Sequence, residues 1–189
     1  MARNLAVLVL VLVACAIWMS RVQPDSHALD GLPQPRKALA LVDLHTPGAD
    51  PGLAPWGAEK IQDYTGLAAE VLAPVPLPQD AWDAARGQYD AYRLLERLPP
   101  KPNTVVIGLT SMDTWTSDIP EWRYCYGAHD GDRAVVSLAR TGVGPRGVKM
   151  TLRYVLEKVY ELPCKDDPKS LLHTTILGPD DLDRMEFRI

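Results

Sequence analysis

The sequence predicts a mixed α+β domain built on one β-sheet. Three observations carry this prediction. Short apolar runs typical of buried strands stand at 38–42 and 104–109, segments with the helical repeat alternate with such runs, and proline- and glycine-rich stretches separate the two kinds of segment. A chain of 189 residues has the length of about one domain, so a single sheet with its helices accounts for the sequence.

Composition narrows the class of protein. Apolar residues make up 47 % of the chain and charged residues 23 %, which is close to the globular average and excludes general disorder and a polytopic membrane protein. The net charge is −4 and no basic run is present, which argues against nucleic acid as the main partner.

The first half of the chain predicts alternating strands and helices. The run 38–42 is the first strand, and the prolines and glycines of 45–55 indicate a loop. Residues 59–72 carry apolar residues at helical spacing, and the prolines within 71–77 leave an extended edge segment. A second helix is expected over 81–98, with Asp80 as its N-cap and a helical stripe formed by Trp82, Ala85, Tyr89, Tyr92 and Leu95.

The second half predicts the rest of the sheet. The run 104–109 reads as a strand buried on both faces. Two further strands, 124–127 and 134–138, are joined by the turn residues of 129–132. The last long helix carries a stripe at Leu152, Val155, Leu156 and Val159, and Pro163 is expected to end it. Residues 178–183 predict a turn that leads into a short capped helix.

The N-terminus predicts export. A short positive start is followed by the apolar run 5–19, which is too short for the roughly 20 residues of a spanning helix and fits a signal-peptide core. Three outcomes stay open: a lipobox whose Cys15 is lipidated, cleavage after Ala28, and an uncleaved anchor flanked by Arg21. The predicted organisation is a signal peptide over 1–28, a tether over 29–37 and the domain over 38–189. The predicted location is the periplasm or cell envelope, with the chain held at the membrane. In that oxidising compartment, Cys125 and Cys164 have the option of pairing.

Several collinear segments resemble the archaemetzincins, a family of small zinc-dependent metallopeptidases of the metzincin type. The segments that carry the resemblance are 82–91 with Leu94 and Leu95, 108–113, 126–128 followed by 134–140, 162–164 and 181–184. The resemblance runs from about Ala38 to Met185, and it implies a metzincin-like mixed sheet packed against two or three main helices.

The zinc signature of the metzincins does not accompany this resemblance. A metzincin requires H-E-x-x-H-x-x-G-x-x-H, in which two His one helical turn apart and a third His bind zinc and the Glu activates water. Aligned on Leu162 and Pro163, the signature falls on 154–164, with Tyr154, Lys158 and Cys164 at the His positions. The remaining key positions are Val155 for the Glu, Glu161 for the Gly, and a site near His173 for the Met-turn methionine. No metal or other cofactor is therefore expected, although zinc is the family's cofactor.

These residues predict a pseudoenzyme that binds a peptide or an envelope protein. Tyr154, Lys158, Cys164 and Asp113 are the candidate binding residues, with no catalytic residue among them. One alternative is a hydrolase with an unusual metal site, or with Cys164 as nucleophile and Lys158, Lys165 and His173 near it. The other alternative is a structural envelope lipoprotein without a ligand.

The other histidine, acidic and aromatic residues that could bind a ligand or a metal also have ordinary structural explanations. His45, His129 and His173 lie in separate loops, where a metal site with Asp43, Asp130 or Cys164 competes with solvated or capping histidines. The acidic group Asp180, Asp181 and Asp183 fits charge at a helix N-terminus better than a calcium loop. Thr110 and Asp113 border the expected cleft, and Trp115 and Trp122 flank a loop above it.

Overall fold

The computed structural model of the protein describes residues 29, 31–46 and 52–189. These residues form two β-sheets and four α-helices. The strands are β1 (Ala38–His45), β2 (Glu70–Val71), β3 (Val75–Pro76), β4 (Trp82–Asp83), β5 (Gln88–Asp90), β6 (Thr104–Thr110), β7 (Thr114–Trp115), β8 (Gly127–Asp130) and β9 (Arg133–Ser137). The helices are α1 (Leu53–Thr65), α2 (Ala91–Arg97), α3 (Pro145–Lys158) and α4 (Pro179–Arg184), with a 3-10 turn at Gln79–Ala81. The α+β class predicted from the sequence is confirmed.

The main sheet has the strand order β2-β1-β6-β9-β8, and β3 also pairs with β1. All its pairings are parallel except that of β8 with β9, which places the antiparallel strand β8 at one edge. Every residue of β6 is buried, because the strand lies at the centre of the sheet with helices over both faces. The predicted strands at 38–42 and 104–109 are therefore confirmed.

Side chains that alternate along β1 supply two hydrophobic cores. Leu39 and Leu41 point to the core formed with α1, α3 and α4, whereas Val42 and Leu44 point to the core formed with α2. Burial on both faces is the reason that the central strands are continuous apolar runs rather than alternating ones.

The first helix lies earlier in the chain than the predicted span of 59–72. It begins at Leu53, where Pro55 is tolerated because it falls in the first turn, and it ends before Gly66, which adopts a φ of 69°. The buried carboxylate of Asp43 accepts a hydrogen bond of 2.8 Å from the Ala54 amide and so caps this helix. The extended edge segment predicted over 71–77 is confirmed by β2 and β3.

The helix predicted over 81–98 is wrong for its first half. Residues 82–90 form a hairpin, in which Trp82 pairs with Tyr89 and Gly87 adopts a φ of 66°. The Asp83 carboxylate accepts from the Ala85 amide and thereby holds the turn. The helix starts only at Ala91, with Asp90 rather than Asp80 as its N-cap. This hairpin and β7 form a second, three-stranded sheet that the sequence analysis does not anticipate.

The C-terminal half follows the predicted order with shifted boundaries. The strand predicted at 124–127 is wrong except for its last residue, because β8 begins at Gly127 and runs through His129 and Asp130, so the hairpin turn consists of Gly131 and Asp132 alone. The last long helix, α3, ends at Lys158 rather than at Pro163, and Glu161 adopts a φ of 54° in the turn that follows. The short capped helix near the C-terminus is confirmed by α4, with Pro179 in its first turn.

The predicted signal peptide and Cys15 lie outside the described residues, as do 47–51. Within the segment predicted as a tether, the Leu29 side chain is buried in the core, Leu32 packs against it, and the Arg36 amide donates to the Val159 carbonyl. Within 29, 31–46 and 52–189, no helix is long and apolar enough to cross a membrane.

Candidate functional site

The candidate site lies where α3 passes beneath the edge strand β8. Pro145 occupies the first turn of α3, where a missing amide hydrogen costs nothing. Gly147 allows close contact with the preceding loop, since a Cβ there would lie 2.0 Å from the Gly142 carbonyl oxygen. Nine residues of the helix are buried, so the positions of its side chains are fixed by packing.

Tyr154 forms the floor of the site. Its side chain is 7 % exposed, and its hydroxyl lies below β8, 3.1 Å from the position that a Cβ on Gly127 would occupy. The imidazole of His129 meets the Tyr154 ring edge to face, with 5.8 Å between the centroids. Burial raises the pKa of the Tyr154 hydroxyl, so the phenol stays protonated at physiological pH.

Val155 and Lys158 stand at two further positions of the zinc signature, and the structure places the first in the core and the second in an ion pair. Val155 is fully buried in the core beneath the sheet. The Lys158 ammonium lies 3.5 Å from the Glu157 carboxylate, which in turn lies 3.3 Å from Nε2 of His129. Burial and the positive charge of Lys158 lower the pKa of His129 despite this carboxylate.

Two cavities of about 410 and 440 Å³ meet at Tyr154 and form one cleft. Residues common to both cavities are Trp122, Cys125, Gly127 and Tyr154. Apolar and aromatic walls at one end include Tyr124, Tyr126, Met150 and Ile176, and the other end contains Tyr92, Asp118 and His129. Cys125 is buried, its thiol lies 3.5 Å from the Thr114 hydroxyl, and burial raises its pKa, which leaves it a weak nucleophile.

The edge strand β8 forms one rim of this cleft. The Ser137 amide donates to the Tyr126 carbonyl, and in an antiparallel pair the bonded positions alternate. Gly127 and His129 therefore direct their backbone groups away from β9, toward the open side of the sheet. This arrangement is the one that an added extended chain requires.

The opposite rim is the loop 116–123, which Arg86 holds in place. The Arg86 guanidinium donates to the carbonyls of Pro120 (2.7 Å) and Trp122 (3.2 Å) and stacks on the Trp115 ring at 4.2 Å. Trp122 remains 49 % exposed at the mouth of the cleft, beside the exposed Ile119. Trp115 packs beneath the loop, so of the two tryptophans Trp122 alone borders the cleft.

Asp113 is engaged in a structural network beside the strand end. Its carboxylate accepts two hydrogen bonds from Arg140 (2.9 and 2.6 Å), one from Gln88 (2.8 Å) and one from the Thr114 amide. Burial favours the protonated form, but the bonds from Arg140 and Gln88 outweigh it and hold the pKa of Asp113 below its usual range. Asp113 is not among the residues that line the cleft. Thr110 is fully buried.

Cys164 and His173 come together below the C-terminal end of α3, outside the lining of the cleft. Arg153 lies between them: it donates to the His173 carbonyl, and its Nη2 is 3.8 Å from the Cys164 thiol. The backbones of Lys165 and His173 form an isolated parallel β-bridge. The turn at 170–173 lies where the alignment with the family signature predicts the Met-turn. Cys164 is exposed and Cys125 is buried, and both are free thiols here.

The remaining candidates do not converge. The Nδ1 of His45 lies 2.9 Å from the Thr46 carbonyl. Asp181 accepts from the Leu177 and Gly178 amides, and Asp183 pairs with Arg146, which agrees with the helix N-terminal explanation of the acidic group. Across 29, 31–46 and 52–189, no three His, Cys, Asp or Glu side chains are placed to hold one metal ion.

A zinc ion does not fit the residues at the family's ligand positions. The Tyr154 phenol would have to lose a proton that burial holds in place, Val155 has no basic atom, and the Lys158 ammonium would repel a dication. Cys164 offers a single thiolate, which does not make a zinc site.

Of the four residues predicted to bind a ligand, Tyr154 lines the cleft, whereas Lys158, Cys164 and Asp113 do not. Gly127, His129 and Arg86 define the cleft, yet each acts through a partner far away in the chain. In the sequence, the turn residues at Gly131 indicate a hairpin and therefore β8. No local sequence pattern indicates the contact between Arg86 and Pro120.

The sheet with its antiparallel edge strand, and the helix that crosses below it, define a metzincin-type fold. No family model matches the chain. The archaemetzincin of Methanocaldococcus jannaschii is 27 % identical over 111 residues, which cover 55 % of this chain and 59 % of that protein. The chain therefore matches about three-fifths of the length of that curated relative.

Solved structures agree with this comparison. The archaemetzincin of Methanopyrus kandleri superposes with a TM-score of 0.64 at 26 % identity, over 83 % of this chain and 91 % of that one. The malonate complex of the Archaeoglobus fulgidus archaemetzincin (TM-score 0.65, 19 % identity, 80 % and 94 % covered) shares the fold. A zinc-dependent peptidase from Methanocorpusculum labreanum also shares it (0.60, 16 %, 79 % and 94 %). In sequence and in fold, this chain is similar to the archaemetzincins.

Proposed function

We propose that this chain is an exported archaemetzincin homologue that has lost zinc and peptidase activity and binds an extended peptide in its cleft. The observation that carries the proposal is the contrast within one site. The cleft and the open edge of β8 are kept, whereas Tyr154, Val155, Lys158 and Cys164 occupy the positions at which catalysis requires zinc ligands and a base.

Binding would proceed by strand addition. The outward backbone groups of Gly127 and His129 would pair with the peptide backbone, and an apolar peptide side chain would enter the part of the cleft that Trp122, Tyr124 and Met150 line. Trp122 is the natural anchor, because a half-exposed tryptophan at the mouth of a pocket gains much contact area when a ligand covers it.

Calorimetric titration of the full chain tests this proposal. The probes are the capped pentapeptides acetyl-Ala-Ala-X-Ala-Ala-amide, in which X is Ala, Leu, Phe, Lys or Glu. We expect saturable binding that is strongest with Leu or Phe. A matched peptide is N-methylated at two successive residues. Because neighbouring N–H groups of an extended chain point to opposite sides, one of the two methyl groups removes a hydrogen bond to β8 whichever side of the peptide faces the strand, so the affinity should fall. Absence of binding by the whole set would reject the proposal in favour of a structural envelope lipoprotein.

A cysteine-dependent hydrolase is the second candidate, and the placement of Cys164 beside Arg153 and near His173 favours it. Against this candidate, the described residues contain no hydrogen bond between the Cys164 thiol and the His173 ring, and Cys164 is not part of the cleft lining. Peptidase activity that Cys164→Ala abolishes would establish it.

We also propose that the chain is held at the cell envelope by its N-terminus. The apolar run 5–19 and the tripeptide Leu12-Val13-Ala14 before Cys15 support lipidation, and Ala28 supports cleavage as the competing outcome. Intact mass of the mature chain separates the three outcomes. A lipid-bearing chain that begins at Cys15, a chain that begins at Leu29 and an unprocessed chain all have different masses, and Cys15→Ala should abolish the first.

A further inference from the structure

The hydroxyl of Tyr154 is a donor that the cleft leaves available. The side chain is more than nine-tenths buried and borders both cavities, and among the described residues no atom forms a hydrogen bond with its hydroxyl. This oxygen is not one of the fully buried polar atoms without a partner, so it stays accessible from the cleft, whereas the Tyr126 hydroxyl in the same wall is fully buried and unpaired. A donor that the protein leaves unpaired and the cleft leaves accessible is free to bind an acceptor from outside the domain.

The position of this hydroxyl suits a chain seated on the sheet edge. It lies directly below Gly127, at 3.1 Å from where a Cβ would stand, and any side chain at that position would also meet the Val135 carbonyl oxygen at 2.0 Å. Glycine at 127 therefore leaves the space between the phenol and the outer side of β8 open. A strand paired with Gly127 and His129 would pass over the phenol.

The chemistry of the group selects its acceptor. Since burial favours the neutral phenol, Tyr154 presents one O–H donor over the whole physiological pH range. A backbone carbonyl oxygen is the acceptor that every extended peptide carries, whatever its side chains.

We propose that the Tyr154 hydroxyl donates a hydrogen bond to a backbone carbonyl oxygen of the peptide bound along β8. This inference rests on the proposed peptide-binding function and adds to it the residue that takes over carbonyl recognition at the site. Tyr154 is thus a binding residue with no part in bond cleavage, and it makes the cleft recognise peptide backbone rather than a particular side chain.

Tyr154→Phe tests the inference, because it removes one oxygen atom that has no partner among the described residues. The probes are the capped pentapeptides used above, titrated into the full chain. We expect the dissociation constant to rise roughly two- to ten-fold, the range for one net hydrogen bond, with the same factor for every central side chain. The melting temperature should stay unchanged or rise.

The matched control is Tyr160→Phe, which removes the same atom from a buried tyrosine just beyond the end of α3 and away from the cleft. It should leave the affinity unchanged. Unaltered peptide affinity in Tyr154→Phe would overturn the inference while leaving the proposed function standing. Failure of the unaltered protein to bind any of the pentapeptides would instead overturn the proposed function itself.

Discussion

At the scale of single residues, the positions that align with the zinc signature carry side chains that pack in the core or pair at the surface. Tyr154 and Val155 are buried and add to the packing of α3, while Lys158 points to a carboxylate on the surface. The hydrophobic face of the helix is therefore intact, although none of these side chains can act as a metal ligand or as a base. Two positions of the family signature therefore contribute to the packing of this helix.

His129 gives a prediction about pH. Its folded-state pKa lies below the ordinary value of 6.5, because burial and the positive charges of Lys158 and Arg153 outweigh Glu157 and Asp130. The unfolded state consequently binds the proton more readily, and the unfolding free energy should fall as the pH drops through 6.5. Urea unfolding at pH 7.5 and pH 5 should show a smaller loss in His129→Gln than in the unaltered chain. An equal loss in both proteins would contradict the assignment.

At the scale of elements, the edge strand and the loop opposite it decide whether the cleft exists. β8 needs glycine at its first residue, because a Cβ on Gly127 would approach the backbone oxygen of Val135 to 2.0 Å. The loop 116–123 needs the Arg86 side chain, which reaches across from the turn of the β4–β5 hairpin. Both dependences connect segments far apart in the sequence.

Gly127→Ala should therefore destabilise the protein by about 1–3 kcal/mol, as expected for overpacking against a rigid backbone. Chemical denaturation measures the change. Gly144→Ala is the matched control, since a Cβ at Gly144 meets nothing within 4 Å, and its cost should stay below about 1 kcal/mol. Equal costs for the two variants would show that β8 can move away from β9 without penalty.

Arg86→Ala should release the loop while leaving the sheets in place. We expect backbone amides of residues 117–122 to exchange hydrogen roughly ten-fold faster, which corresponds to the loss of about 1.4 kcal/mol of local stability. Exchange measured by mass spectrometry reports the change, and Arg97→Ala, which removes an exposed ion pair with Asp80, serves as control. Unchanged exchange in 117–122 would mean that packing on Trp115 alone holds the loop.

The elements differ in how far the sequence predicts them, for physical reasons. β1 and β6 are predictable because burial on both faces demands an unbroken apolar run, which is visible locally. The hairpin at 82–90 is not, because Trp82 and Tyr89 are seven residues apart, a spacing that one helical face and a cross-strand pair both satisfy. In the site, alignment with the family signature locates Tyr154, whereas the cleft walls depend on contacts such as that of Arg86 with Pro120, for which the sequence holds no local signal.

At the scale of the whole molecule, the fold and the activity are separate properties, because a fold alone does not determine which reaction a protein performs. The fold that this chain shares with archaemetzincins supplies a parallel sheet, an antiparallel edge strand and a helix beneath it, and the proposed function uses this combination to bind a peptide without a metal. Buried apolar side chains of the described residues fill the two cores on either side of the sheet. Folding of this chain is accordingly expected to be independent of zinc.

The most direct test of this account is the metal content of the purified full chain. The protein is expressed in zinc-supplemented medium, dialysed without chelator and analysed by mass spectrometry for metals, and its unfolding is followed in parallel with and without EDTA. We predict far less than one zinc per chain, the same result for Cys164→Ser, and a cooperative unfolding transition that EDTA does not shift. One zinc per chain, removed by EDTA together with a lowered melting temperature, would contradict the loss of zinc on which the proposed function rests.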